Sequence, residues 1–148
     1  MGEHILVPTD GSEQAAAAFE YALTLPHDEI TLITVINPFD VDPEKPGYQS
    51  PLGKAGMPAF SGEWYENVRE EARESHEELR GRADDPDAVS SVVGFGQPSR
   101  GILRYVEEGD VDHVVIASRG KRDLSKLLLG DVAETVVRRS PVPVTVVR

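Results

Sequence analysis

Short runs of aliphatic and β-branched residues alternate along the chain with stretches whose apolar residues recur at helical spacing. The runs predict five strands, at residues 4–9, 30–36, 88–95, 113–117 and 142–147. The stretches between them predict helices over 13–25, 63–82, 98–109 and 130–140. Strands joined through helices run parallel, and right-handed crossovers place the helices on both faces of the sheet. We therefore expect a doubly wound, Rossmann-like α/β fold with a five-stranded parallel sheet.

Two segments interrupt this alternation. Asp10, Gly11 and Ser12 form a turn after the first strand, with Ser12 as the N-cap of the following helix. Residues 37–62 are rich in proline and glycine and have no apolar period, which predicts a long, irregular and mobile connection. Too little chain precedes this connection to form a domain, so residues 1–148 are expected to form a single domain.

The charge balance limits the partners. The chain has 26 acidic and 15 basic residues, a formal net charge of -11 and no cysteine. Zinc–thiolate sites, iron–sulfur clusters and thiol nucleophiles are excluded, and an acidic surface repels nucleic acid and anionic membranes. The acid excess comes with few lysines, namely Lys45, Lys54, Lys121 and Lys126. This pattern favours a salt-adapted protein of a halophile over an ordinary acidic bacterial protein, and without an apolar span or leader-like segment we expect a cytoplasmic location.

The most informative segment for function is 117–134. A strand end, two glycines and a basic stretch (Arg119, Lys121 and Arg122) precede a predicted helix N-terminus. Glycines let backbone N–H groups approach an anion, and a helix N-terminus favours negative charge. The spacing differs from that of a P-loop, in which Gly-Lys-Ser/Thr stands directly at the helix start.

Here the chain resembles the universal stress protein family, whose ATP-binding members carry glycine, two residues, glycine, nine residues, glycine, then serine or threonine. Gly120 and Gly130 match the second and third glycines. The resemblance extends to Val7–Ser12, to Gly96 and Pro98, and to Pro143–Val147, and so to nearly the whole chain. It implies strand order 3-2-1-4-5 and a homodimer that pairs through the C-terminal strand.

The resemblance also implies an adenine-nucleotide site. Asp10 matches a residue near the adenosine moiety, and Val35 matches a position whose backbone lies near adenine. ATP or AMP, with Mg²⁺ as a further candidate, are the implied cofactors. The implied nucleotide-binding residues are Pro8, Thr9, Asp10, Val35, Ala117, Ser118, Arg119, Gly120, Gly130, Asp131 and Val132. Taken alone, Asp10 is equally well read as a turn residue and Val35 as strand core.

Two positions depart from the family motif. Ala117 replaces the first glycine, and Asp131 replaces the final serine or threonine. A carboxylate beside phosphate oxygens costs about 1–4 kcal/mol at ~4 Å, which a bridging Mg²⁺ would offset. Asp131 and Glu134 also fit a capping box in which Asp131 is the N-cap, and both interpretations stay open.

The remaining chemistry is sparse. The four histidines lie on different elements without metal-ligand spacing, and no Ser–His–Asp arrangement is readable. We therefore predict a stress-response regulatory or sensor protein on an adenine-nucleotide-binding scaffold, with no catalytic residue assigned. A nucleotide-free homodimeric interaction protein is the alternative, and a slow ATPase is a second alternative.

Overall fold

The strands and helices follow the predicted alternation. The computed structural model describes residues 3–38, 62–119 and 130–148. The strands are β1 (His4–Pro8), β2 (Glu29–Ile36), β3 (Val89–Phe95), β4 (His113–Ala117) and β5 (Val144–Val147). The helices are α1 (Glu13–Leu23), α2 (Gly62–Arg80), α3 (Pro98–Glu108) and α4 (Asp131–Arg139), and a short 3-10 turn at Pro86–Ala88 precedes β3.

The five strands form one sheet in the order β3-β2-β1-β4-β5, and every neighbouring pair is parallel. This confirms the predicted fold class and the strand order implied by the family resemblance. The prediction for β5 began two residues early. The N–H of Val142 donates to Ser140 Oγ at 3.1 Å and Pro143 has no N–H, so the regular strand begins only at Val144.

Each face of the sheet has its own apolar core, because alternate strand residues point to opposite faces. In β1, Ile5 and Val7 join the cluster that includes Phe19 of α1 and Leu79 of α2. Leu6 joins the opposite cluster, whose helical members are Ile102 and Val106 of α3 with Ala133 and Val136 of α4. Helices α1 and α2 therefore cover one face, and α3 and α4 cover the other.

Helix α2 is mostly charged on its outer side and contributes a narrow buried stripe. Trp64 and Leu79 are buried as the helical spacing predicts. Between them, the buried stripe contains a histidine, His76, of which only 1% is exposed. A polar side chain at a core position requires hydrogen-bond partners.

The long connection of residues 39–61 lies outside the described residues, and its predicted mobility stays a prediction. No helix in the described ranges combines the length and apolar character that crossing a membrane requires.

Candidate functional site

The sheet splits between β1 and β4 at the carboxyl ends of the strands. In the described residues, the β1–β4 ladder comprises only Ile5↔His113 and Leu6↔Val114. Beyond this point each strand keeps pairing with its outer neighbour, β1 with β2 as far as Pro8↔Ile33 and β4 with β5 as far as Ala117↔Val147.

The chain leaving each strand continues this separation. The N–H of Thr9 donates to Ile33 O and that of Ser118 donates to Val147 O, each at 2.8 Å. The connections after β1 and β4 thus bond to different outer strands on the two sides of the strand-order reversal, and we take the gap between them as the candidate crevice. Crevices at this point of strand-order reversal are where doubly wound sheets bind ligands.

The turn after β1 forms one wall of the crevice. Thr9 is buried, and its Oγ1 accepts a hydrogen bond from Gly11 N at 3.2 Å. Asp10 is exposed, and its Oδ1 accepts from Ser12 N at 2.9 Å. Asp10 is therefore a turn residue in its local geometry. Gly11 has φ 83°, a left-handed conformation that suits glycine. Ser12 is the predicted N-cap, because its Oγ accepts from Ala15 N at 3.1 Å.

The start of α4 forms the opposite wall. The N–H of Gly130 donates to the carbonyl of Ser118 at 2.7 Å, so the chain returns to the end of β4 before the helix begins. Gly130 has the extended conformation of an N-cap (φ -66°, ψ 160°), and its carbonyl accepts from Glu134 N at 2.9 Å. The N-cap is a glycine, so it has no side chain with which to cap the helix, and no other residue in the described ranges is seen to cap it. The amides of Asp131, Val132 and Ala133 therefore lack intrahelical acceptors.

The capping-box interpretation of Asp131 is wrong. Because the carbonyl of Gly130 accepts the first helical bond, Gly130 is the N-cap and Asp131 is the first helical residue. Glu134 lies one position too far along to close a capping box and instead pairs with Arg138 at 3.0 Å. The Asp131 side chain is exposed at the positive end of the helix.

The apolar members of the predicted site line the edge through their backbones, and their side chains pack elsewhere. The side chain of Val35 lies against α3, where a Cβ added to Gly101 would stand 2.9 Å from Val35 Cγ2. Ala117 and Val132 pack with the two cores, and Pro8 is buried at the end of β1. The side chain of Val35 is therefore part of the packing between β2 and α3, while its backbone lies near the carboxyl end of β2.

The structure brings the described predicted residues to one edge of the sheet, at or just beyond the ends of β1, β2 and β4 and at the start of α4. Ser118 and Arg119, both half-buried, follow β4 directly. Gly120, Lys121 and Arg122 lie outside the described residues, so their part in a phosphate cradle stays a prediction.

One polar feature beside the site was not predicted. His76 Nε2 lies 2.7 Å from Thr34 Oγ1, and the Thr34 hydroxyl donates to the carbonyl of Thr9 at 2.7 Å. The other ring nitrogen, Nδ1, is hydrogen-bonded to Ser91 Oγ. Burial lowers the pKa of His76 to about 4, although the charge of Glu77 opposes the shift. The histidine is therefore neutral at pH 7. Its spacing from Trp64 and Leu79 along α2 was the available sequence signal.

Within the described ranges, every buried side-chain nitrogen and oxygen has a hydrogen-bond partner. The same ranges contain no group of three or more His, Asp or Glu side chains arranged to hold a metal ion. The polar groups that the crevice offers are thus backbone amides, hydroxyls and single carboxylates.

A doubly wound parallel sheet with a crevice between its first and fourth strands, and a helix N-terminus beside it, defines the class of α/β proteins with a ligand site at the switch point. The model of the universal stress protein family matches residues 1–148. The chain belongs to the universal stress protein family.

Known relatives agree in sequence and structure. A universal stress protein of Methanocaldococcus jannaschii is 31% identical over 156 aligned positions, covering 100% of this chain and 96% of the relative. Its solved structure superposes with a TM-score of 0.77 at 30% identity, over 99% of this chain and 96% of that one.

Two more distant solved structures share the fold and were determined with bound nucleotides. A family protein of Arabidopsis thaliana with AMP bound has a TM-score of 0.61 at 17% identity, over 98% of this chain and 90% of that one. An Archaeoglobus fulgidus universal stress protein in complex with dAMP has a TM-score of 0.61 at 16% identity, over 100% of this chain and 98% of that one. At these identities the likeness establishes the fold alone.

Proposed function

We propose that this protein binds an adenine nucleotide in the crevice between β1 and β4 and acts as a regulatory or sensor protein of the stress response. The observation that carries the proposal is the N-terminus of α4. Its N-cap is a glycine, so within the described residues no side chain occupies the first-turn amides, and these lie beside the Ser118–Gly130 hydrogen bond at the end of β4. Such a helix end can bind phosphate oxygens through its N–H groups and its dipole.

The opposite wall suits the sugar. The Asp10 carboxylate is oriented by the bond from Ser12 N and is exposed toward solvent. A carboxylate offers about four acceptor positions, so Asp10 can accept from ribose hydroxyls while it keeps its turn. The family resemblance places adenine near the backbone of Val35, one strand further along the same edge.

Asp131 would decide how many phosphates bind well. Its carboxylate is exposed at the first position of α4 and is not used as a cap, so its charge would face any phosphate chain that extends along this helix end. AMP, with one phosphate, would avoid most of this repulsion, whereas ATP would need a cation such as Mg²⁺ between the carboxylate and its distal phosphates. We therefore propose AMP-like ligands as the favoured class.

The test is isothermal titration of the purified protein with AMP and with ATP, each with and without Mg²⁺. We expect AMP to bind no more weakly than ATP when Mg²⁺ is absent. Asp10→Asn is the variant for the sugar wall, and Asp112→Asn, which changes an exposed carboxylate before β4 at the opposite edge of the sheet, is its matched control. Absence of binding by both nucleotides would refute the proposal.

A nucleotide-free homodimer is the second candidate, and β5 favours it. In the described part of the chain this strand pairs only with β4, and all four of its residues are half-buried valine or threonine. Val137 on the neighbouring helix α4 is 42% exposed. An apolar edge strand needs cover in a stable protein, and a second copy paired along β5 near Val144 and Val146 would supply it. Sedimentation equilibrium at micromolar concentration in high salt tests this, and a monomer there would count against it.

We also propose that the chain comes from a salt-rich cytoplasm, as in a halophilic archaeon. The net charge is -11, and α2 alone presents exposed glutamates at 63, 66, 70, 71, 74, 77 and 78. Like charges at this density repel one another and are screened by salt. The melting temperature should rise steeply as KCl is increased toward molar concentrations. A melting temperature that does not change with KCl would remove this proposal.

A further inference from the structure

His76 is buried beneath the turn that forms the β1 wall of the crevice. We propose that His76, acting through Thr34, is a positioning residue that fixes the turn of residues 9–12 in the geometry that binds the nucleotide. This inference rests on the proposed function, and it concerns a side chain that does not itself reach the crevice.

The hydrogen bonds have one consistent direction while the imidazole is neutral. The carbonyl of Thr9 can only accept, so the Thr34 hydroxyl proton points to it. The Thr34 oxygen must then accept the Nε2–H of His76, which leaves Nδ1 without a proton. Nδ1 therefore accepts from the Ser91 hydroxyl. The three bonds form a chain from Ser91 on β3, through α2 and β2, to the end of β1.

Both backbone groups of Thr9 are held by β2, and the Thr34 side chain supplies one of the two bonds. Its N–H donates to Ile33 O at 2.8 Å, and its carbonyl accepts from Thr34 Oγ1 at 2.7 Å. The carbonyl of Thr9 lies in the same planar peptide unit as the N–H of Asp10, so fixing one fixes the direction in which Asp10 leaves the strand. Asp10 then sets the turn through its bond from Ser12 N.

The burial of His76 makes this support rigid. The side chain is 1% exposed, and both of its ring nitrogens have partners. The same helix also approaches the turn directly, because a Cβ added to Gly11 would stand 3.9 Å from Ser75 Oγ. Helix α2 is thereby linked to the nucleotide-binding wall by side chains that do not contact the ligand.

The chain offers a matched control on the same strand. Thr31 of β2 is fully buried and its Oγ1 lies 2.7 Å from His4 Nε2, the same kind of threonine–histidine pair. It lies three residues nearer the amino end of the strand, away from the crevice. Thr31→Val should therefore cost stability much as Thr34→Val does, without altering the turn.

The experiment compares AMP affinity by isothermal titration for Thr34→Val, Thr34→Ser and Thr31→Val. We expect Thr34→Val to weaken AMP binding about tenfold, which corresponds to about 1.4 kcal/mol. Thr34→Ser keeps the hydroxyl, so its AMP affinity should remain within about twofold of that of the wild type. The AMP affinity of Thr31→Val should do the same, although its free energy of unfolding falls. Equal losses in Thr34→Val and Thr31→Val, or no loss in either, would overturn the inference.

Two further measurements keep the outcome clear. Ser91→Ala leaves Thr34 in place but removes the hydroxyl that orients the imidazole, so it can replace Thr34→Val if that variant does not fold. We expect Ser91→Ala to bind AMP about threefold more weakly than the wild type. An unchanged AMP affinity would contradict the inference. Amide hydrogen exchange needs no nucleotide: Ser12 should exchange faster in Thr34→Val, while Ala15, capped within α1, should not. A wild type that binds no AMP or ATP would refute the proposed function, and unchanged Ser12 exchange would refute the positioning role.

Discussion

The two connections that border the crevice begin helices in opposite ways. In the turn after β1, side chains accept hydrogen bonds from the backbone amides: Asp10 Oδ1 accepts from Ser12 N, and Ser12 Oγ accepts from Ala15 N. At the start of α4 the N-cap is a glycine, and the bonds seen among the described residues are backbone bonds, with Gly130 N donating to the carbonyl of Ser118. Both helix ends lie at the same edge of the sheet.

This contrast indicates which wall is better suited to bind an anion. A side-chain N-cap is worth about 1 kcal/mol; the N-cap of α1 supplies one through Ser12, whereas the N-cap of α4 is a glycine and supplies none. A helix end without its own acceptor is better able to bind an external anion, because its N–H groups need not first be released from a cap. On the proposed function, we expect the β1 wall to be the fixed side of the site and the α4 wall to be the side that receives phosphate.

Acid should change the stability most, through the histidine behind the β1 wall. The pKa of His76 is about 4 in the folded protein, below its ordinary value of 6.5, because burial disfavours the charged ring. The unfolded chain therefore binds the proton more readily between these values. The free energy of unfolding therefore has its full value above about pH 6.5 with respect to this group. It falls by up to about 3 kcal/mol as the pH is lowered toward 4. Urea unfolding of the wild type and of His76→Gln across pH 4–7 measures it, and parallel curves for the two proteins would contradict it.

The second effect concerns the charge on the α4 wall. Asp131→Ser restores the hydroxyl of the family motif and removes the carboxylate from the helix end. ATP affinity should rise about tenfold, as a gain of about 1.4 kcal/mol would produce, while AMP affinity changes little. Titration of both proteins with each nucleotide in the absence of Mg²⁺ measures this, and a second titration with Mg²⁺ tests whether a cation bridges the carboxylate and the phosphates. Tighter ATP binding by the wild type than by Asp131→Ser would show that the carboxylate helps through a cation.

The third effect concerns the cap of α1. Ser12→Ala removes the acceptor for Ala15 N and should lower the free energy of unfolding by about 1 kcal/mol. Ser118→Ala is the matched control, since Ser118 takes part in the wall through its backbone N–H and carbonyl. Chemical denaturation measures the free energy of unfolding of both variants. An equal loss of stability in both would contradict the assignment of Ser12 as the cap that stabilises the β1 wall.

The smallest effect concerns the glycine N-cap of α4. Gly130→Ser places a hydroxyl at the N-cap and should stabilise the protein by a few tenths of a kcal/mol. The same hydroxyl would occupy first-turn amides, so AMP affinity should fall severalfold. Calorimetry and titration of one sample test both changes. Higher stability with undiminished AMP affinity would place the phosphate away from this helix end.

The fold could be predicted because its signals are local. Strands such as β4 are short apolar runs, and Ser12 stands directly before a helical pattern, so periodicity and capping chemistry identify them. The family motif added the strand order. The capping-box interpretation placed the N-cap of α4 one residue late, at Asp131, since Asp131 and Gly130 are both good N-caps and only the backbone geometry decides between them.

The support behind the site could not be predicted in the same way. His76, Thr34 and Ser91 are far apart in sequence, and each alone looks like an ordinary residue of a helix or strand. Their hydrogen bonds exist only because α2 packs on β2 and β3. Sequence pattern identifies the groups that can face a ligand, but not the buried groups that hold them.

The early end of the β1–β4 ladder has an entropic consequence. Thr9 and Ser118 are tied to the outer strands when the sheet forms, so the two walls stand apart before any ligand arrives. A bound nucleotide would not have to break strand pairing to enter, nor to order the ends of β1 and β4. The conformational entropy of these peptides is lost during folding and not on binding. A larger part of the free energy of the ligand contacts therefore contributes to affinity.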